Sequence, residues 1–157
     1  MSLSKKYKIR GLNRKTKFQD AAEIVLDQKL KRIFKEANKF RENDSCKNLH
    51  SLRIAFRRFR YPMETFSMCY GQKLFNRVYR HAQQIQDLLG EARDLDVLEL
   101  KLKSWEKELG LKIPELLFKQ MDEEKLLHRR DIKMELIKFI SNKDVNSFFI
   151  NSKKSEK

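Results

Sequence analysis

The apolar residues of this chain recur with the period of an α-helix almost from end to end. From about Lys17 to Phe40, the residues Ala21, Ile24, Val25, Leu30, Ile33, Phe34 and Ala37 fall at helical spacings, which predicts a first helix with one buried face. RENDS (41–45) reads as a turn. There the short side-chain oxygen of Asp44 or Ser45 suits the cap of a second helix, because it accepts a free first-turn N–H. That second helix is expected from Cys46 to Cys69, kinked at Pro62, whose ring clashes with the preceding turn, and ended by Gly71. A third runs from Gln72 through Gly90 to about Leu109, where Gly110 stops it. Pro114 suits the first turn of a fourth helix, which reaches about Ile140. SNKD (141–144) reads as a loop, and VNSFFI (145–150) as a docking turn that buries its phenylalanines. No alternating β-branched run appears, and glycine and proline are scarce. The expected fold is therefore all-α: an antiparallel four-helix bundle over residues 17–150, with a basic arm at 1–16 and a disordered tail at 151–157. Trp105 and Phe118 are assigned to its core.

Charge changes the picture more than composition does. A chain of 157 residues with 40% hydrophobic content is most simply one domain with an adequate core. Its formal charge of +14 and pI of about 9.8 imply an anionic partner or surface. The surplus is uneven: residues 1–60 hold 18 Lys/Arg against 6 Asp/Glu, and the remainder 18 against 16. An anion is expected to meet the N-terminal part first. No apolar run is long enough to span a membrane, and the basic N-terminus lacks the apolar stretch of a signal peptide. Cys46 and Cys69, too far apart to pair if they share one helix, read as reduced thiols of a cytoplasmic protein.

The densest charge lies in LHSLRIAFRRFRY (49–61). On a helical wheel with His50 at zero, Arg53, Arg57 and Arg60 fall between 280° and 340°, together with Glu64. Tyr61 borders them, and Arg58 lies at 80°. Leu52, Ala55, Phe56, Phe59, Met63 and Phe66 occupy the opposite arc. Like charges three and four residues apart, roughly 5–6 Å from one another, destabilise a helix, and Glu64 can offset only one of them. A row of phosphates laid along the stripe would offset the rest, because the arginine fork donates bidentately to phosphate oxygens. His50 can donate too, more strongly when protonated. The plainer reading is a solvated basic face, but such faces usually mix lysine with glutamate. Lesser stripes occur on the first helix (Arg32, Lys35, Lys39) and on the third (Arg77, Arg80, His81, with Gln84). Either is a candidate second wall of a basic groove, or plain surface.

The run His50, Arg53, Arg57, Arg58, Arg60, Tyr61 resembles the signature of the CHAD family, the conserved histidine α-helical domain. QDLLGEARDLDVL (86–98) resembles a second block of that family through Leu89, Gly90, Arg93, Asp94, Asp96 and Val97. The resemblance implies a helical bundle that binds inorganic polyphosphate, with His50, Arg53, Arg57, Arg58 and Arg60 as leading contacts. It also implies attachment to polyphosphate granules or a role in phosphate metabolism. A typical member holds two such helical halves, whereas this chain resembles the N-terminal half alone; HRRDIKMEL (128–136) is basic but lacks the second signature. A homodimer whose second helices face one another across a two-fold axis would rebuild the pair. Pro62 is a further departure, expected to shift Tyr61.

Two other functions compete. The charge alone fits nucleic acid equally well, but the phenylalanines of the second helix point to the core arc, leaving only Tyr61 as a stacking platform. Catalysis, as a metal-dependent phosphohydrolase, finds little support. His50, His81 and His128 lie far apart, and neither a P-loop nor a serine or cysteine with an evident base is present. Asp94 and Asp96 are candidates for a Mg²⁺ that bridges phosphates. The plainer reading has Arg93, Asp94 and Asp96 in ion pairs that fix helix packing. No resident metal or cofactor is expected.

Overall fold

A computed structural model describes residues 9–147, and the all-α expectation is met. The order is α1 (Phe18–Glu42), α2 (Cys46–Thr65), a 3₁₀ turn (Ser67–Cys69), α3 (Gln72–Leu109) and α4 (Glu115–Ser141), followed by a further helical turn at 143–147. Neighbouring helices run antiparallel. Late α2 meets early α3 where Arg60 bonds Tyr79, and α3 descends along α4 through Arg77–Asp144, His81–Glu135 and Asp96–Arg129. Each helix packs mainly on the next, and α1 barely touches α4. The core is continuous across all four, with Phe40, Phe56, Phe59, Met63, Ile85, Leu89, Leu136 and Phe139 fully buried and Phe56 edge-on to Phe139 at 5.4 Å.

Of the two expected caps of α2, Ser45 serves, its hydroxyl accepting from Asn48 N at 3.4 Å. The Asp44 carboxylate instead receives Lys133 Nζ of α4 at 2.5 Å. α2 ends at Thr65, not Cys69. It passes through Pro62 but breaks within a turn of it, and the chain tightens into the 3₁₀ turn. Asn142 rather than a four-residue loop closes α4, and Val145 in the next turn is fully buried. The remainder of the expected docking turn, Phe148 to Ile150, and the tail at 151–157 lie outside the described residues, as do residues 1–8 of the arm. Residues 9–16 fold back on α1: Gln28 Nε2 donates to Arg10 O at 2.6 Å, and Gly11, at φ 91°, brings its backbone against Ile24. Trp105 is not in the core. It is 46% exposed on the far end of α3, while Phe118 is half-buried with Lys103 Nζ over its ring at 5.8 Å.

Candidate functional site

The amphipathic split of α2 sets the site. Leu49, Leu52, Ala55, Phe56, Phe59 and Met63 are buried on one side, so the chain between them must turn its arginines outward. Arg58 and His50 are exposed, Arg53 and Arg57 half-buried, and Tyr61 60% exposed. Among the described residues, none of Arg53, Arg57 and Arg58 forms an ion pair. Arg53 Nε is buried without a partner, so its stem is packed into the protein and only the end of its fork faces outward.

Arg60 differs from its neighbours. Its side chain is 15% exposed; Nη2 donates to Tyr79 Oη at 2.7 Å and stands 3.7 Å from Glu64 Oε1, and its guanidinium lies over the Tyr79 ring at 4.9 Å. Tyr79 Oη in turn donates a 2.6 Å hydrogen bond to Glu64 Oε1. Arg60 is thereby a link between α2 and α3.

On the other flank of α2, His50, Ser51, Ile54, Ala55 and Arg58 line a cleft of about 350 Å³, and Arg32 of α1 closes it. So one residue of the first-helix stripe does join the signature helix. Arg32 and Lys39 also bracket the buried Glu36, at 2.9 and 3.4 Å, while Lys35 is exposed. Arg32 therefore brings one positive charge to the cleft but shares it with Glu36.

The third-helix stripe does not form a second wall. Arg77 donates to both oxygens of Asp144, at 2.6 and 3.1 Å. This hydrogen bond holds the Asp144 carboxyl below its ordinary value and pushes Arg77 up. His81 lies with Nε2 3.5 Å from Glu135 and its ring edge-on to Phe139 at 5.2 Å. Both turn toward α4, and Gln84 lines a cleft of about 520 Å³ there with Asp87, Glu91, Asp131 and Glu135. Arg80 is exposed. The α3 side chain that meets the α2 stripe is instead Tyr79.

Of Arg93, Asp94 and Asp96, the structure pairs only Asp96, and its partner lies on α4. Arg129 Nη2 donates to both Asp96 oxygens, at 3.0 and 3.2 Å, and Arg129 Nε donates to Asp44 O at 3.0 Å. Asp96 is fully buried, and Arg93 and Asp94 form no ion pair among the described residues. A cation at Asp96 would have to displace Arg129, and no three His, Cys, Asp or Glu among the described residues are grouped to hold a metal. Sequence reasoning missed Arg129, Lys133 and Tyr79. Only the buried carboxylate at Asp96, which demands a cation in space, could have pointed to the first of them. Both cysteines are free; desolvation and, behind it, the Glu23 carboxylate push the Cys69 thiol up, so it stays protonated. Among the described residues, no helix is long and apolar enough to cross a membrane.

The family model described as CHAD domain matches residues 4–103 of the 157. The match begins within the N-terminal arm, spans α1, α2 and most of α3, and stops before α4. No curated protein and no solved structure matches the chain.

Proposed function

The chain belongs to the CHAD domain family, and from that premise we propose that it binds inorganic polyphosphate along the outward face of α2 without chemically changing it. One observation carries the reading: Arg53 and Arg57, one turn apart on the same stripe of α2, and Arg58 on its flank have no carboxylate to neutralise them among the described residues. A helix that keeps like charges adjacent is relieved by an anion with repeated charge. His50 and Arg32 extend the cationic surface into the cleft toward α1. Arg60, tied to Tyr79 and Glu64, contributes mainly by fixing the edge of the stripe. In this reading two copies act together in place of the two helical halves of a typical member, and the protein works in the cytoplasm, where polyphosphate granules offer a surface to attach to.

The test is a competition titration at near-physiological salt. Labelled long-chain polyphosphate is displaced by unlabelled polyphosphate, single-stranded RNA or heparin at matched charge, with wild type and the Arg53→Ala/Arg57→Ala variant side by side. Polyphosphate is expected to compete at least tenfold better, about 1.4 kcal/mol, and the double variant to lose that preference. Equal competition by all three polyanions would overturn the reading in favour of general polyanion binding, with nucleic acid as the natural ligand. A phosphate-release assay with Mg²⁺ or Mn²⁺ should stay at background.

A further inference from the structure

α3 outlasts the helices before it. It holds 38 residues against 25 in α1 and 20 in α2. The contact of Asp96 and Arg129 with the α1–α2 turn at Asp44 marks where the four-helix part ends. Beyond it, residues 97–109 of α3 and 115–128 of α4 continue as a two-helix hairpin. Gly110, at φ 63°, closes α3 in a left-handed conformation that suits glycine. Lys125 of α4 binds Glu99 of α3, and Glu106 accepts from Ile113 N at 2.8 Å.

A hairpin with so little beneath it should be polar, and this one is not. Within 97–127 only Met121 is a buried apolar side chain, while nine large ones are between 39% and 70% exposed. Exposed apolar surface that is contiguous marks an interaction site. On α3 the positions are ordered: Leu98, Leu102, Trp105 and Leu109 follow one another at intervals of four, three and four, the a/d spacing of a helix–helix seam. A depression of about 230 Å³ lined by Asp94, Val97, Leu98 and Lys101 opens its near end.

We propose that this seam is where two copies of the chain meet, α3 against α3, antiparallel about a two-fold axis that passes between Leu102 and Trp105. This builds on the reading above that two copies act together and names the surface they use. The seam is self-complementary in that register. Leu98 faces Leu109 of the second copy, and Leu102 faces its Trp105. On one flank of the seam the exposed Lys101 comes within two residues, about 3 Å along the axis, of Glu108 of the second copy, and the pair occurs twice by symmetry. Electrostatics favours the same place. Residues 97–127 hold seven acidic and six basic residues, so the charge of +14 resides elsewhere. Two copies approaching stripe to stripe would press like charges together, whereas two hairpins meet almost neutral. The facing of α2 against α2 expected from the sequence is thereby replaced by a contact that leaves both stripes open to an anion.

The chain holds one tryptophan, Trp105, on the seam, so its emission reports the contact directly. Light scattering and tryptophan emission are followed over a dilution series of the full chain, without and with polyphosphate. The expected result is a mass twice the 19.0 kDa of the chain, with emission moving to the red as dilution separates the copies. Leu98→Glu/Leu109→Glu is expected to give one chain and red emission at every concentration, with unchanged helical circular dichroism. Should that variant lose helix, the charge swap decides: Lys101→Glu weakens dimerisation several-fold, and adding Glu108→Lys restores it. A wild type that is monomeric throughout, or a dimer indifferent to both sets of substitutions, overturns the seam. The two proposals fail separately. A chain that stays monomeric yet prefers polyphosphate sinks the seam alone, and one that dimerises but binds all polyanions alike sinks the polyphosphate reading alone.

Discussion

Arginine does opposite work in two regions of this molecule. Where α3 meets the C-terminal part of the chain, Arg77 grips Asp144 with Nε and Nη2, Arg129 reaches both Asp96 oxygens through Nη2 alone, and the pairs hold helices together. On the outward side of α2, Arg53, Arg57 and Arg58 have no carboxylate partner among the described residues. Arg60 lies between these two uses, on the α2 stripe but tied to Tyr79 and Glu64. An arginine's role here is set by whether the fold supplies its anion. Where it does, the residue belongs to stability; where it does not, an outside ligand is the natural counterpart.

That contrast can be broken at its strongest point first. Arg129→Ala leaves the Asp96 carboxylate buried without a cation and removes the tie to the α1–α2 turn. Breaking a buried pair this way costs on the order of 3–5 kcal/mol, and for a domain of this size a drop in Tm of roughly 6–20 °C should appear in a thermal melt. Polyphosphate affinity of the folded fraction should stay within about twofold. Arg53→Ala/Arg57→Ala is the mirror image, with at least tenfold weaker polyphosphate binding but a Tm within a few degrees of wild type. If both variants lose stability and binding alike, the division between the two regions is false.

Glu64→Gln sharpens the comparison by moving Arg60 from one class toward the other. Freed of the carboxylate, Arg60 keeps Tyr79 but adds its charge to the stripe. Polyphosphate should bind about two- to threefold tighter in the competition titration, of the order expected for one added exposed charge. The smallest effect belongs to Asp144. Its folded carboxyl lies below the ordinary value of 3.8 because Arg77 hydrogen-bonds its charged form. The contribution is therefore complete above that ordinary value and is lost as pH falls through the lowered one. Melts of wild type and Asp144→Asn should differ slightly at neutral pH and converge in acid.

Much of this architecture is written in local pattern. The wheel of α2 separates its buried from its outward residues correctly, because burial of Leu52, Phe56 and Phe59 leaves the arginines one direction to face. Helix boundaries set by Ser45, Gly110 and Pro114 follow from backbone chemistry a few residues wide. What local pattern does not carry is which helix stands beside which face. Arg77 and His81 share a side of α3 with other polar residues, and only the position of α4 makes that side a contact rather than a groove wall. Asp96 and Arg129 are 33 residues apart, and nothing near either names the other. Trp105 looks like core from its size alone, yet α1 and α2 stop short of it, a fact about their lengths rather than about tryptophan.

The order of contacts has a consequence for how the molecule forms and opens. Each helix packs chiefly on its neighbour in sequence, and the first and last barely meet. Contacts of low sequence separation favour fast assembly, because little loop entropy is spent before they reward it. They also leave little contact between the first and last helices beyond the tie of Arg129 and Lys133 to Asp44, so opening can begin at one end without unravelling the other. α4 is that end: between Ile132 and Phe139 it is anchored in the core, and ahead of Arg129 it rests on a single helix. Its amides at 115–127 belong to the first unit to exchange with solvent, and those of α2, clasped on both sides, to the last.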